Sequence, residues 1–153
     1  MRTIRPSRVV CFLLLLTSIN VWSADGRILN FEGDVRVNGK PVTTDTVLTR
    51  ADTITTAPGA SAKIVLSDNS VLDLEGGSEI LISDYSFNPA EPQNNTSKVD
   101  ILAGTLRYVS GRIAKDDPEN ISFTAGNSTI GVRGSFISIS VDPKAAKAES
   151  TEK

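Results

Sequence analysis

Arg133 stands between two glycines in TIGVRGSFISISV, residues 129–141, within a stretch that otherwise alternates like a β-strand. Glycine weakens a strand interior and arginine resists burial, so Gly131-Val132-Arg133-Gly134 needs a physical reason. One reading is chemical: a guanidinium held out by flexible backbone clamps a carboxylate or phosphate with two parallel hydrogen bonds. The other is architectural: Gly131 and Gly134 permit a bulge or bend, and Arg133 folds onto an acid of its own domain. Asp52, Asp73 and Glu79 are the candidate acids. The architectural reading is preferred, with Asp52 as the expected partner, because turn-forming acids are plentiful and a partly buried arginine must be paired.

Little else in the chain could do chemistry. There is no histidine, and the one cysteine, Cys11, lies in the N-terminal segment, so no Ser-His or Cys-His pair can be assembled. No Gly-x-Ser-x-Gly stretch exists, and nothing marks Lys63, Lys98 or Lys115 as the buried base of a Ser-Lys pair. Asp68 to Asp73 reads DNSVLD, which lacks the alternating acids and the glycine of a calcium loop. Without imidazole or thiolate only oxygen ligation of a metal remains. Asp68, Asp73, Asp116 and Asp117 therefore read as turn-forming or solvated acids. The expectation is a protein with no catalytic residue, metal or cofactor. Among the aromatics, Tyr85 and Phe87 open the Pro/Asn-rich stretch FNPAEPQNNTS and are the pair suited to stack on a partner. Tyr108 and Phe123 alternate with polar residues and read as core.

The N-terminus bounds the compartment. Arg2, Arg5 and Arg8 precede the apolar run Val9 to Leu16, and small or polar residues follow. These are the parts of a secretory signal peptide, with cleavage expected after Ser23. The run is too short and too interrupted to span hydrocarbon, which takes about 20 apolar residues. Residues 1–23 are thus expected to be removed, leaving an exported, soluble chain with no transmembrane segment. Without those three arginines, 13 basic residues face 18 acidic ones, a balance of −5. A mildly acidic chain with no basic cluster is not a nucleic-acid binder.

The elements that must position these residues read as short strands. SAKIVL puts Ala62, Ile64 and Leu66 on one face, VLDLE puts Leu72 and Leu74 on one face, and SEILIS does the same with Ile80 and Ile82. With turns at 67–70 and at Gly76-Gly77, these form an expected three-stranded meander. RILNFEG and DVRVNGKPV suggest a hairpin-like pair, with Asn38-Gly39 as a tight-turn signal. KVDILAG and TLRYVSG suggest another pair, and residues 42–56 edge strands. No amphipathic helix is evident. The fold class is all-β: one domain over 26–142, an antiparallel β-sandwich or β-roll of short strands, with a β-helix-like solenoid as the alternative. PKAAKAESTEK, at 143–153, reads as a disordered tail.

These stretches resemble the FecR domain. LTRADTITTAPGASAKIVLSDNSVLDLEGGSEILI carries Ala51-Asp52 where that family has Gly-Asp, then Thr56 with Gly59, then the turn Asp68-Asn69-Ser70. KVDILAGTLRYVSGRIAKDDPENISFTAGNSTIGVRGSF is closer still, through Gly104, Leu106, Arg107, Gly111, Pro118 to Asn120, and Thr129 to Gly134. The resemblance covers about Gly33 to Val141, the periplasmic module of FecR-type regulators, and makes Asp52, Asp68, Gly104, Gly111, Gly131 and Gly134 structural motif positions. It implies a periplasmic or secreted, non-enzymatic interaction module that binds an envelope protein or polymer, in cell-envelope sensing or signal transduction. A structural component that self-associates through its strand edges is the alternative, and a small cell-envelope hydrolase ranks below both. The candidate partner-binding residues are Arg133, Tyr85 and Phe87.

Overall fold

A computed structural model describes residues 24–142; the expected signal peptide and tail lie outside the described residues. The fold is all-β, a curled sheet of short strands with one five-residue helix. Its spine is one long ribbon. Strands β7 (Val71–Leu74) and β8 (Glu79–Ser86) follow each other along one edge of β9 (Thr96–Val109). Leu72 faces Tyr108 at one end and Ser86 faces Thr96 at the other. Between them Glu75 to Ser78 bulge out opposite Gly104 and Thr105, and there the ribbon bends.

Each half of the ribbon seeds its own sheet. On the β7 half, β6 (Ser61–Leu66), β1 (Gly26–Glu32) and β4 (Val47–Leu48) add outward, and β12 (Phe136–Val141) pairs the opposite edge of β9. On the β8 half, β5 (Thr53–Thr56), β2 (Val35–Val37) and β3 (Lys40–Pro41) add outward. There β10 (Ile121–Ala125) pairs the opposite edge of β9, and β11 (Ser128–Gly131) closes that side. Every pairing is antiparallel except β9 with β10, whose parallel register requires the crossover through α1 (Arg112–Asp116). Antiparallel ladders running out from a ribbon are not the stacked coils of a solenoid.

Burial follows the alternation. Ala62, Ile64, Leu66, Leu72, Leu74, Ile80 and Ile82 all point into one core with Ile28, Leu48, Ile54, Leu106, Tyr108 and Phe123. The Tyr108 and Phe123 rings meet at 4.9 Å between centroids, tilted by 59°.

Several expected pairings differ. β1 does not pair with β2; the Asn38-Gly39 turn instead joins β2 to β3, with both residues at positive φ, 51° and 78°. The meander stops at two strands, because β7 and β8 lie end to end on β9 rather than side by side. KVDILAG and TLRYVSG are not a hairpin but the two halves of β9, with Gly104 bending the strand instead of reversing it. In residues 42–56, β4 is an edge but β5 is interior, held between β2 and β8.

Candidate functional site

The corner between β11 and β12 is fixed at both ends. Val132 is buried in the core, which pins the chain just after β11. Past it, Ser110 holds the start of β12 twice: its Oγ donates to the Gly134 carbonyl at 2.6 Å and its N–H to the Ser135 carbonyl at 3.0 Å. Gly134 has φ of 141°, a conformation that side-chain-bearing residues avoid. Gly131 has no such need: nothing lies within 4 Å of where its Cβ would be. The bend expected of two glycines therefore rests on Gly134.

Between Val132 and Gly134 the Arg133 side chain is turned out to solvent. Among the described residues it makes no ion pair and no side-chain hydrogen bond. The expected tie to Asp52 is absent, for a topological reason. Asp52 precedes β5, and β8, β9 and β10 separate β5 from β11. The Asp52 carboxylate is already occupied by neutral donors: Thr49 N–H at 2.7 Å, Thr49 Oγ1 at 3.1 Å and Asn38 Nδ2 at 2.7 Å. Asp73 pairs with Lys63 at 3.5 Å, and Glu79 faces Ala103 and Thr55 in the ladders. The architectural explanation of Arg133 thus fails, whereas Asp52 itself is the hinge of the Thr49–Asp52 turn.

Arg133 borders a groove of about 450 Å³ whose walls are Pro118, Glu119 and Ile121 on one side and Phe136 and Ile137 on the other. Phe136 is 61% exposed, a large apolar ring left in water. It is cross-strand to Val109, which faces Val71, which faces Val65, so an apolar ladder runs back from the groove across the outer face of the sheet. Alternation in FISISV put Phe136 opposite to Ile137, Ile139 and Val141, with the serines. That was the signal that a phenyl ring would be solvated.

The two aromatics expected at a partner-binding face are elsewhere. Tyr85 is 3% exposed, and its hydroxyl accepts from the Asp68 N–H at 2.9 Å and donates to Asp68 Oδ1 at 3.2 Å. The register of β8 shifts between Ile82 and Asp84, and that bulge turns Tyr85 inward. Phe87 is half-buried against the core with the Arg112 guanidinium 5.8 Å above its ring. Neither presents a free face for stacking.

Asp68, in turn, is the polar knot under this end of the fold. It is fully buried; Oδ1 accepts from Ser70 N–H, Ser70 Oγ and Tyr85 Oη, Oδ2 accepts from Ile113 N–H, and its carbonyl accepts from Arg112 N–H. A second knot sits at the bend, where Thr56 Oγ1 donates to the Glu75 carbonyl and accepts from Ser78 N–H, and Ser78 Oγ bridges Thr105. Gly104, at φ of 81°, passes against Ser78 so closely that a Cβ would fall 2.5 Å from the Ser78 Cα. Burial first, and the Asp68 charge second, push the Tyr85 phenol far above its ordinary value and that of Tyr108 up to about 12.

The motif positions therefore sort into two kinds. Asp52, Asp68, Gly104 and Gly111 shape the scaffold, whereas Arg133 and the neighbouring Phe136 are left facing solvent around a groove. Among the described residues, no group of three or more acidic side chains converges as a metal site would require, and no helix is long and apolar enough to cross a membrane. A family model described as FecR protein matches residues 52–151 of the chain. No curated protein and no solved structure matches it.

Proposed function

The chain belongs to the FecR protein family, and from that premise we propose that it is an exported sensing module whose Arg133 corner binds an envelope protein or polymer. Family membership makes it a signalling- or sensing-related protein of a regulatory family. Export to the periplasm, or secretion, is supported by Arg2, Arg5 and Arg8 before the apolar run of residues 9–16.

One observation carries the binding reading: Arg133 is solvated and, among the described residues, without an ion pair beside an exposed Phe136, at a corner whose backbone is held by Ser110. A guanidinium at a groove of mixed lining, with Pro118, Ile121, Phe136 and Ile137 apolar and Glu119 acidic, suits a carboxylate flanked by an apolar group, with the ring supplying area and the arginine supplying orientation. Elsewhere in the scaffold Arg36, Lys63, Lys98 and Arg107 are held by acids, the last by Glu75 at 2.7 Å.

Photo-crosslinking from position 136 in envelope preparations tests this. A partner captured by the wild type and by Arg107→Glu, but reduced at least about tenfold by Arg133→Glu, is the expected result. Equal capture with Arg133→Glu overturns it.

A further inference from the structure

We infer that the free edge of β12 pairs antiparallel with β12 of a second copy, about a two-fold axis through Ser138. The strand shares Phe136 and Ile137 with the wall of the Arg133 groove, but the pairing rests on the backbone groups of its edge and not on Arg133.

The chain has four sheet edges among the described residues, and three are blunted. β4 has two residues; β3 has two, a lysine and a proline; β11 has four and ends on Gly131. Natural sheets use short strands, charge and proline in this way to prevent edge-to-edge pairing. β12 has none of these defences. Its six residues, FISISV, contain no charge, proline or glycine, and its register against β9 runs unbroken from Phe136 to Val141.

The Ser110 N–H to Ser135 carbonyl bond sets the phase of that ladder. In an antiparallel pair, hydrogen-bonding direction alternates along the strand, so residues 137, 139 and 141 turn their backbone groups to β9. The N–H and C=O of Phe136, Ser138 and Ser140 then point out along the open edge.

What fits this edge best is the strand itself. Identical strands meeting antiparallel with Ser138 on the axis place Ile137 opposite Ile139 and Phe136 opposite Ser140. Side-chain parity is kept on both faces, so apolar residues meet apolar ones on the core side. The half-buried Ile137 gains a cover, and no charge on the strand opposes the pairing. A C2 dimer built this way sets two Arg133 corners on one continuous sheet, a bivalent arrangement for a polymer or clustered partner.

Sedimentation of the exported chain across a concentration series tests this, with charge swaps at the axis. Ser138 is exposed on the outer face, so Ser138→Lys and Ser138→Glu leave the core untouched. Each substitution places like charges directly opposite each other and weakens self-association about tenfold, while an equimolar mixture of the two variants restores it. Circular dichroism checks that both variants stay folded. A wild-type chain that remains monomeric to about 1 mM, or a mixture no tighter than either variant alone, overturns the inference. So does an edge found covered by another segment of the same chain.

Discussion

Gly111 crosses Asp68 at a distance that leaves no room for a side chain. A Cβ on Gly111 would fall on Asp68 Oδ2 and within 2.5 Å of the Ser70 N–H, in the middle of the buried carboxylate knot. Backbone from the end of β9 is thereby laid directly on the turn between β6 and β7.

Gly111→Ala therefore lowers stability by about 1–3 kcal/mol, the usual range for overpacking a tight interior. Gly131→Ala, at an open and unstrained position, stays within about 0.5 kcal/mol of wild type. Urea denaturation of both variants checks the contrast, and equal effects would show that the close approach is relaxed in solution.

The two buried tyrosines respond differently to loss of the hydroxyl. Tyr85 Oη both accepts from and donates to Asp68, so Tyr85→Phe leaves the buried Asp68 N–H unsatisfied, while Asp68 Oδ1 keeps its bonds from Ser70, and costs about 1–3 kcal/mol. Among the described residues Tyr108 Oη makes no well-formed hydrogen bond, with Gly111, Ser110 and Ser70 its polar neighbours, so Tyr108→Phe removes a poorly satisfied buried polar atom and is neutral or stabilising by about 1 kcal/mol. Thermal or urea unfolding separates them.

Stability falls at alkaline pH. Below pH 10 both phenols are protonated folded and unfolded alike, and they contribute no slope. Above it the unfolded chain binds fewer protons than the native one, so each raised phenol removes about 1.4 kcal/mol per pH unit. For Tyr108 the loss accumulates from 10.0 to about 12 and then levels; for Tyr85 it continues beyond. Absorbance of tyrosinate and loss of sheet signal should rise together, and ionisation without unfolding in this window would count against the buried assignment.

Ala51 holds a left-handed backbone at φ of 71°, where its Cβ is strained. Ala51→Gly relieves that strain against a smaller gain in unfolded-chain entropy, for a net stabilisation of about 0.5 kcal/mol. A higher denaturation midpoint with unchanged slope is the expected reading.

The faces of the strands were legible in the sequence and their neighbours were not. SAKIVL and VLDL carry their alternation intact, so Ile64 and Leu72 lie where period two places them. Pairing depends on what meets across long separations, and no local pattern says that β7 and β8 share one edge of β9. Gly104 illustrates the ambiguity: a glycine between two alternating runs marks a departure from regular strand, but not whether the chain reverses or merely bends. Tyr85 reads as surface because it opens the Pro/Asn-rich stretch, but β8 runs on through it and a bulge between Ile82 and Asp84 turns it inward. At the corner, the sequence singled out Arg133 correctly as needing explanation but supplied the wrong partner, because a turn acid far along the chain is not near in the sheet.

The bent ribbon also orders events in time. β8 and β9 meet after closing only residues 87–95, whereas β1 must find β6, and β10 reaches β9 only after 110–120 have crossed over. Loop-closure entropy grows with the length closed, so topology predicts that the β6–β7 hairpin, which closes only 67–70, and the β8–β9 ribbon hold first and that the remaining strands then accrete on them. A substitution at the Gly104–Ser78 bend should slow folding, while one on β12 should chiefly hasten unfolding, a division that appears directly in the two limbs of a chevron.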